Sequence, residues 1–211
     1  MRVGVEERRR RMVERDIADR GVRDGRVLAA MATVPREAFL PPELADFAYD
    51  DHALPIQSGQ TISQPFIVAL MSEALEVGPG DRVLEIGAGS GYGAAVLSRL
   101  AGEVWTIERH ADLAAQARQR LADLGYDNVH VIEGDGTAGW AHAAPYDGIS
   151  VTAGGPVIPR ALCQQLADGG RLVMPVGPAD RTQTLRRVRR SGDRFPEEDV
   201  GLVRFVPLVR D

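Results

Sequence analysis

The spacing of apolar and polar positions divides the chain into two parts near residue 75. Beyond residue 80, short apolar runs alternate with amphipathic or alanine-rich segments, which predicts strands separated by helices. Such alternation is typical of a parallel sheet covered on both faces, so we predict an α/β fold with a doubly wound, mostly parallel sheet. The predicted strands are 82–86, 103–108, 128–133, 146–151 and 170–175, and the predicted helices are 92–100, 111–124 and 159–166.

The N-terminal part has a different pattern. Residues 5–20 predict a polar helix, and 24–34 predict a second, shorter helix. No repeat or low-complexity linker separates this part from the rest of the chain. We therefore expect a single domain over 1–211, with a helical N-terminal cap over 1–75 and an α/β core over 76–211.

The C-terminal part also departs from the alternation. Segments 184–190 and 203–208 have no long helix between them, and they predict a closing antiparallel hairpin. The arginines at 186, 187, 189 and 190 are then expected to lie along an edge strand.

Composition excludes several classes of protein. The formal net charge is −5, which argues against a nucleic-acid partner. The sequence contains neither an apolar run of the roughly 20 residues that a membrane span needs nor an apolar signal-peptide core. We expect a cytoplasmic monomer without a membrane or nucleic-acid partner. Cys163 is predicted to be buried in a helix, and four scattered histidines predict no metal site.

A glycine-rich loop follows the first core strand and opens the next helix. Its residues Gly87, Ala88, Gly89, Ser90 and Gly91 can approach a ligand closely, and the helix N-terminus adds N–H donors. Dinucleotide-binding folds and methyltransferases both use such a loop, so the predicted fold is Rossmann-like.

An acid before this loop separates the two ligand classes. Glu85 lies two positions before the first glycine, where a carboxylate would repel a pyrophosphate but suits the ammonium group of S-adenosylmethionine. Glu108 ends the second strand and could accept both ribose hydroxyls. Asp135-Gly136 follows the third strand, where the Asp135 carboxylate could accept from an adenine amino group. Each acid alone could equally be a turn or cap residue, but their order favours S-adenosylmethionine over NAD.

Motifs along nearly the whole chain resemble those of one family. The order E-x-G-x-G-x-G is typical of class I methyltransferases, and the segments that narrow the resemblance to the protein-L-isoaspartate (D-aspartate) O-methyltransferases are 54–65, 134–136, 151–153, 175–177 and 203–208. This resemblance implies S-adenosyl-L-methionine as cofactor, S-adenosyl-L-homocysteine as product, and isoaspartyl proteins or peptides as substrates.

The resemblance also implies roles for particular residues. Thr61, Ile62 and Ser63 are expected to lie across the methyl group, with Ser63 as the catalytic residue and with Thr152 and Gln183 beside the substrate. Ser63 could otherwise be the N-cap of a helix that begins at Pro65. Two departures from the family pattern lie near the acceptor site: Gln57 replaces a common glycine, and Gly154-Gly155 is expected to loosen its loop.

The acceptor implied by the family is already ionised at neutral pH, so the mechanism needs no general base and no metal. Three alternatives remain open at the level of sequence. The chain could methylate an aspartate of a dedicated ribosomally made peptide, could bind its ligands without turnover, or could be an NAD enzyme.

Overall fold

Helices and turns make up the N-terminal part of the computed structural model, which describes residues 4–178 and 180–209, so that both ends of the predicted 1–211 domain lie outside it. Helix α1 (Val5–Arg11) continues as a π-helical segment, Met12–Ala18. Helix α2 (Gly25–Thr33) follows, and the Asp24 side chain caps its N-terminus. Both predicted helices are confirmed, although the first is not polar all round, because it buries Met12 and Ile17 in the core.

A small hairpin leads from this cap toward the core. Strands β1 (Leu54–Pro55) and β2 (Thr61–Ile62) pair antiparallel around a turn at Gln57–Gly59. Ser58 and Gly59 both have positive φ in this turn, at 56° and 65°. Helix α3 (Pro65–Leu75) begins immediately beyond the hairpin, and its proline occupies the first turn, where a missing N–H costs nothing.

The core is one seven-stranded sheet. Its strands are β3 (Arg82–Ile86), β4 (Glu103–Glu108), β5 (Val129–Glu133), β6 (Tyr146–Val151), β7 (Leu166–Val176), β8 (Gln183–Arg189) and β9 (Glu197–Val203). Their order in the sheet is β5-β4-β3-β6-β7-β8-β9. The five strands β3 to β7 run parallel to one another, whereas β8 is antiparallel to β7 and β9 is antiparallel to β8. The predicted α/β fold with a mostly parallel sheet and a C-terminal hairpin is thus confirmed.

Helices cover both faces of the sheet. They are α4 (Tyr92–Ser98), α5 (Ala111–Asp123) and α6 (Arg160–Gln164). Strand β3 is buried on both sides: Val83 packs into the cluster under the N-terminal cap, whereas Leu84 belongs to the cluster that includes α6. Cys163 is buried in that second cluster, as predicted.

The predicted partner of the arginine-rich strand was wrong. Strand β8 pairs with β9, whereas residues 204–206 lie outside any strand. The observed register places Arg187 opposite Glu198 and Arg186 opposite Asp199, and both pairs form salt bridges. The apolar run at 203–208 suggested a strand, but cross-strand charge pairing selects the acidic segment before it. Strand β9 therefore forms the edge of the sheet, and the arginines of β8 lie one strand inside it.

Candidate active site

A cavity of about 310 Å³ lies at the carboxyl ends of the parallel strands, where β3 and β6 are neighbours and the chain leaves them in opposite directions. Ligands of open α/β sheets bind at this position. The structure brings eleven of the predicted site residues to the cavity wall: Thr61, Ile62, Ser63, Glu85, Gly87, Ala88, Gly89, Ser90, Glu108, Gly136 and Thr152. Three predicted site residues are not part of that wall: Gly91, Asp135 and Gln183.

The glycine loop packs too closely for side chains. A Cβ atom on Gly87 would lie 2.4 Å from the Thr152 hydroxyl, and one on Gly93 would lie 2.2 Å from the Glu85 carboxylate. Gly87 also has a φ of 98°, which an L side chain rarely adopts. The glycines therefore let β3, the loop and β6 approach one another. Gly91 lies behind the loop as the N-cap of α4.

Glu85 is buried at the end of β3, with 1% of its surface exposed. Thr106 on the neighbouring strand donates a hydrogen bond of 2.5 Å to its carboxylate. The pKa of Glu85 is raised to about 8, mainly by burial and to a smaller extent by the nearby Glu108 charge, although the Thr106 hydrogen bond acts in the opposite direction. A carboxyl group held in this way at a cavity wall gains from an incoming cation, so its chemistry fits an ammonium group.

Glu108 ends β4 on the other side of the loop and is 5% exposed. One carboxylate oxygen accepts from the Gly89 N–H at 2.8 Å, and the other accepts from the His110 N–H at 3.0 Å. Each oxygen keeps further acceptor capacity, so the pair fits two adjacent hydroxyl groups such as those of a ribose. The two backbone bonds also fix where the carboxylate points.

Asp135 has a local role in the turn after β5. Its carboxylate accepts from the N–H and the hydroxyl of Thr137, at 2.8 and 3.0 Å, and caps the 3₁₀ turn Gly136–Ala138. Gly134 and Gly136 line the cavity on either side of it. The backbone of this turn thus reaches the cavity wall, whereas the adenine contact of the Asp135 carboxylate stays a prediction.

The β1–β2 hairpin and the residues after it form the opposite wall of the cavity. Ser63 is half-buried there, beside the buried Ile62. The N-cap of α3 is Gln64, and no side-chain hydrogen bond caps this helix, so the capping role considered for Ser63 was wrong. The Ser58 hydroxyl donates to Asp112 on α5 at 2.7 Å, which joins the hairpin turn to the helix behind Glu108. Gln57 lies exposed on this turn.

Thr152 connects the two central strands. Its hydroxyl donates a hydrogen bond that is shared between the Gly87 carbonyl oxygen, at 2.8 Å, and the Ile86 carbonyl oxygen, at 3.0 Å. The Thr152 backbone N–H also donates to the Ile86 carbonyl oxygen. Thr152 lines the cavity, but its hydroxyl is hydrogen-bonded to the backbone at the start of the glycine loop. Its first effect is therefore to hold the loop in place.

Gln183 acts on the cavity through another segment. It is 1% exposed at the start of β8, and its side-chain oxygen accepts from the Phe205 N–H at 2.9 Å. Residues 204–209 line the cavity, so Gln183 positions part of the wall without belonging to it.

The glycine pair after β6 does not loosen its loop, contrary to the prediction. The Gly154 N–H donates to Val206 at 2.8 Å, and the Gly154 carbonyl accepts from Leu208 at 2.7 Å. A Cβ atom on Gly154 would lie 2.2 Å from the Gln183 amide nitrogen. The missing side chain permits close packing between the loop and the C-terminal segment, and hydrogen bonds hold both.

Several cavity residues were missed at the level of sequence. Arg109 and His110 follow Glu108 directly, and their position after a strand end was the available signal. Residues 204–208 fell within the predicted strand 203–208, so their contribution to the cavity wall was not predicted. Within residues 4–178 and 180–209, no group of three or more His, Cys, Asp or Glu side chains could hold a metal ion. No helix in those same ranges has the length and apolar character to cross a membrane.

Comparisons with known proteins agree with this geometry. A family model described as protein-L-isoaspartate (D-aspartate) O-methyltransferase matches residues 7–211. The protein-L-isoaspartate O-methyltransferase 2 of Pelobacter propionicus is 58% identical over 205 residues, which span 97% of this chain and 91% of that protein.

Solved structures extend the similarity to the fold. A protein-L-isoaspartate O-methyltransferase structure has a TM-score of 0.84 at 31% identity, and the match covers 94% of this chain and 65% of that chain. A β-aspartate methyltransferase from Plasmodium falciparum, solved with S-adenosyl-L-homocysteine, has a TM-score of 0.81 at 24% identity, over 96% of this chain and 99% of that one. This chain belongs to the protein-L-isoaspartate (D-aspartate) O-methyltransferase family.

Proposed function

We propose that this protein transfers a methyl group from S-adenosyl-L-methionine to the free carboxylate of L-isoaspartyl residues in damaged proteins or peptides. The observation that carries the proposal is that, in a chain of this family, one and the same cavity has the glycine loop and Glu108 on one wall and Ser63 on the other. The bound cofactor supplies a methyl group that its sulfonium centre already activates.

The two acids of the cavity bind different parts of the cofactor. Glu108 accepts from the ribose hydroxyls, because its oxygens are fixed by Gly89 and His110 and still have free lone pairs. Glu85 offers its carboxyl group to the ammonium group from beneath the loop. A protein of the same fold was solved with S-adenosyl-L-homocysteine, which supports a cofactor of this class for the fold.

The acceptor carboxylate needs orientation more than chemical activation. Its ordinary pKa is roughly 4, so it is ionised at neutral pH and no side chain has to remove a proton. The Ser63 hydroxyl donates a hydrogen bond that points the carboxylate toward the methyl group, and the buried Ile62 beside it excludes water. Catalysis then rests on positioning two reactants in one cavity.

The product gives the reaction its direction. A methyl ester can expel methoxide, whereas a carboxylate would have to expel oxide. The neighbouring backbone nitrogen can therefore attack the ester carbonyl carbon and close a succinimide without the enzyme, and the methoxide leaves as methanol with the proton of the backbone N–H. Hydrolysis of the succinimide returns part of the damaged chain to ordinary aspartate, which is the repair step.

A pair of peptides tests the proposal. A peptide with L-isoaspartate is expected to gain one methyl group, measured by mass spectrometry, whereas the same peptide with L-aspartate is not. Ser63→Ala is expected to lower turnover, because a hydrogen bond to the charged acceptor carboxylate is lost and such a bond stabilises by about 1.5–3 kcal/mol. The affinity for S-adenosyl-L-homocysteine is expected to stay within about twofold, because the Ser63 hydroxyl is proposed to contact the acceptor.

Ser191→Ala is the matched control, since Ser191 lies in the β8–β9 turn. Equal methylation of both peptides would contradict the repair function and indicate an enzyme for a dedicated aspartyl peptide. Unchanged turnover in the Ser63 variant would remove that residue from the site.

We also propose that the enzyme is a cytoplasmic monomer with no nucleic-acid or membrane partner. The net charge of −5 supports the part that concerns nucleic acid. Light scattering after gel filtration is expected to give the 22.8 kDa mass of one chain.

A further inference from the structure

Apart from Glu85 on β3, the charged residues of the cavity are divided between its two ends. Glu108 is the last residue of β4, which lies on one side of β3 in the sheet, and Arg109 and His110 follow it. Residues 204–209 lie on the other side, beyond β6, where Pro207 forms a bridge with Gly154. In the proposed function the ribose occupies the β4 end, so the segment 204–209 belongs to the acceptor end.

Arg204 contributes a positive charge to the acceptor end. It is exposed, it follows the last residue of β9 directly, and it lines the mouth of the cavity. Within the described ranges its guanidinium takes part in neither a hydrogen bond nor an ion pair with any other residue. Arg186 and Arg187, on the adjacent strand, are both paired with acids of β9. Arg204 therefore differs from its neighbours in having its donors available to a ligand.

The backbone around Arg204 is held on both sides. The preceding Val203 is buried and pairs with Gln183 in the sheet. The following Phe205 donates its N–H to the Gln183 side chain at 2.9 Å. A cation on such a fixed backbone presents its donors from one place at the mouth, and less ordering is needed when a ligand binds.

We propose that Arg204 determines acceptor specificity by binding a carboxylate of the substrate peptide. The inference rests on the proposed function, in which the acceptor is an isoaspartyl chain and therefore an anion. Arginine suits this contact because its planar fork matches two carboxylate oxygens. The carboxylate is either that of the isoaspartyl residue itself or that of an acidic residue beside it in the peptide.

Peptide binding, measured by calorimetry on protein saturated with S-adenosyl-L-homocysteine, tests this role separately from turnover. Two isoaspartyl peptides are compared, one with Glu and one with Gln next to the isoaspartate. The variants are Arg204→Gln, which removes the charge, and Arg204→Lys, which keeps it without the fork. Arg189→Gln is the matched control, because Arg189 is an exposed arginine at the other end of β8, opposite Arg171.

We expect Arg204→Gln to weaken peptide binding about 3- to 10-fold, the scale of an exposed charge contact, with Arg204→Lys in between and Arg189→Gln unchanged. Equal weakening for both peptides assigns the contact to the isoaspartyl carboxylate, and weakening for the Glu peptide alone assigns it to the neighbouring acid. The affinity for S-adenosyl-L-homocysteine and the melting temperature are expected to stay the same.

Wild-type affinity of Arg204→Gln for both peptides would overturn the inference. Weakening accompanied by a loss of S-adenosyl-L-homocysteine affinity or of melting temperature would also overturn it, because it would indicate a structural role. A wild-type protein that binds the isoaspartyl peptide but does not methylate it would contradict the proposed function alone.

Discussion

At the scale of single residues, the site depends on carboxyl groups whose surroundings set their properties. Glu85 and Glu108 lie on neighbouring strands of the same cavity, yet one is enclosed beneath the glycine loop and the other is tied to two backbone N–H groups. Burial raises the pKa of Glu85 to about 8. The two groups are therefore expected to respond differently to pH and to substitution.

The raised pKa of Glu85 predicts pH-dependent cofactor binding. In the free protein this group is largely protonated below pH 8, whereas an ammonium group favours its ionised form. The affinity for S-adenosyl-L-homocysteine should thus rise between about pH 6 and pH 8 and then level off, with net proton release on binding. Calorimetry in buffers of different ionisation enthalpy measures both effects. Glu85→Gln should abolish the pH dependence, and a flat wild-type profile would separate Glu85 from the ammonium group.

The same shift predicts the stability of the free protein. The folded pKa of Glu85 lies above its usual value of 4.5, so the folded state binds more protons than the unfolded state between that value and about 8. The contribution of Glu85 to the free energy of unfolding therefore falls as pH rises through this window. Denaturant titrations of the wild type and Glu85→Gln should converge at the acid end and diverge toward pH 8.

Glu108 leads to a prediction about affinity. Glu108→Ala should weaken S-adenosyl-L-homocysteine binding by about 1–3 kcal/mol, because charged hydrogen bonds to the ribose are lost and the Gly89 loop loses its anchor. Glu133→Ala is the control, since Glu133 pairs with Glu108 at the end of the next strand and is exposed. Equal affinity of a folded Glu108 variant and the control would exclude Glu108 from the ribose site.

At the scale of elements, the loop after β6 and the C-terminal segment form one unit. Gly154 hydrogen-bonds to Val206 and Leu208, and Gln183 bonds to Phe205 between them. The cavity wall at 204–209 is thus positioned by residues from two strands and a loop. Local sequence patterns contain little information about such an arrangement, because its partners are distant in the chain.

Substitution at Gly154 tests this unit. Gly154→Ala places a methyl group 2.2 Å from the Gln183 amide nitrogen, so either the loop or the Gln183 side chain, which holds the segment through Phe205, has to move. We expect a loss of about 1–3 kcal/mol of stability, as for other overpacked sites, together with a higher KM for the peptide. Gln183→Ala in the same chain should relieve the clash, so the double variant should lose less than the sum of the single losses. Additive losses in denaturant titrations would show that the two residues do not interact.

At the scale of the whole molecule, the chemistry is expected to proceed without a metal ion. The acceptor is already an anion, and the described part of the chain contains no cluster of metal-binding side chains. Methylation of an isoaspartyl peptide should therefore continue at the same rate after EDTA treatment. A complete loss that zinc or magnesium restores would require a different mechanism.

Much of this molecule was determined by local sequence. The apolar runs predicted β3, β4 and β6 with the observed bounds, because a strand buried on both faces needs a continuous run of apolar residues. The segment from Glu85 to Gly91 predicted both the turn and its position at the carboxyl end of a strand. These features depend on residues that are neighbours in the chain, so a linear pattern contains them.

Tertiary structure decided the rest, since it depends on which distant segments meet. The pairing of β8 with β9 was settled by charges that face each other only in the folded sheet. The Asp135 side chain caps the turn that follows it, and Gln183 positions the cavity wall through Phe205, which lies 22 positions away. Arg204 became a cavity residue because the chain crosses Gly154 after the last strand. Sequence specifies which residues can line a site, but the three-dimensional packing determines which of them meet there.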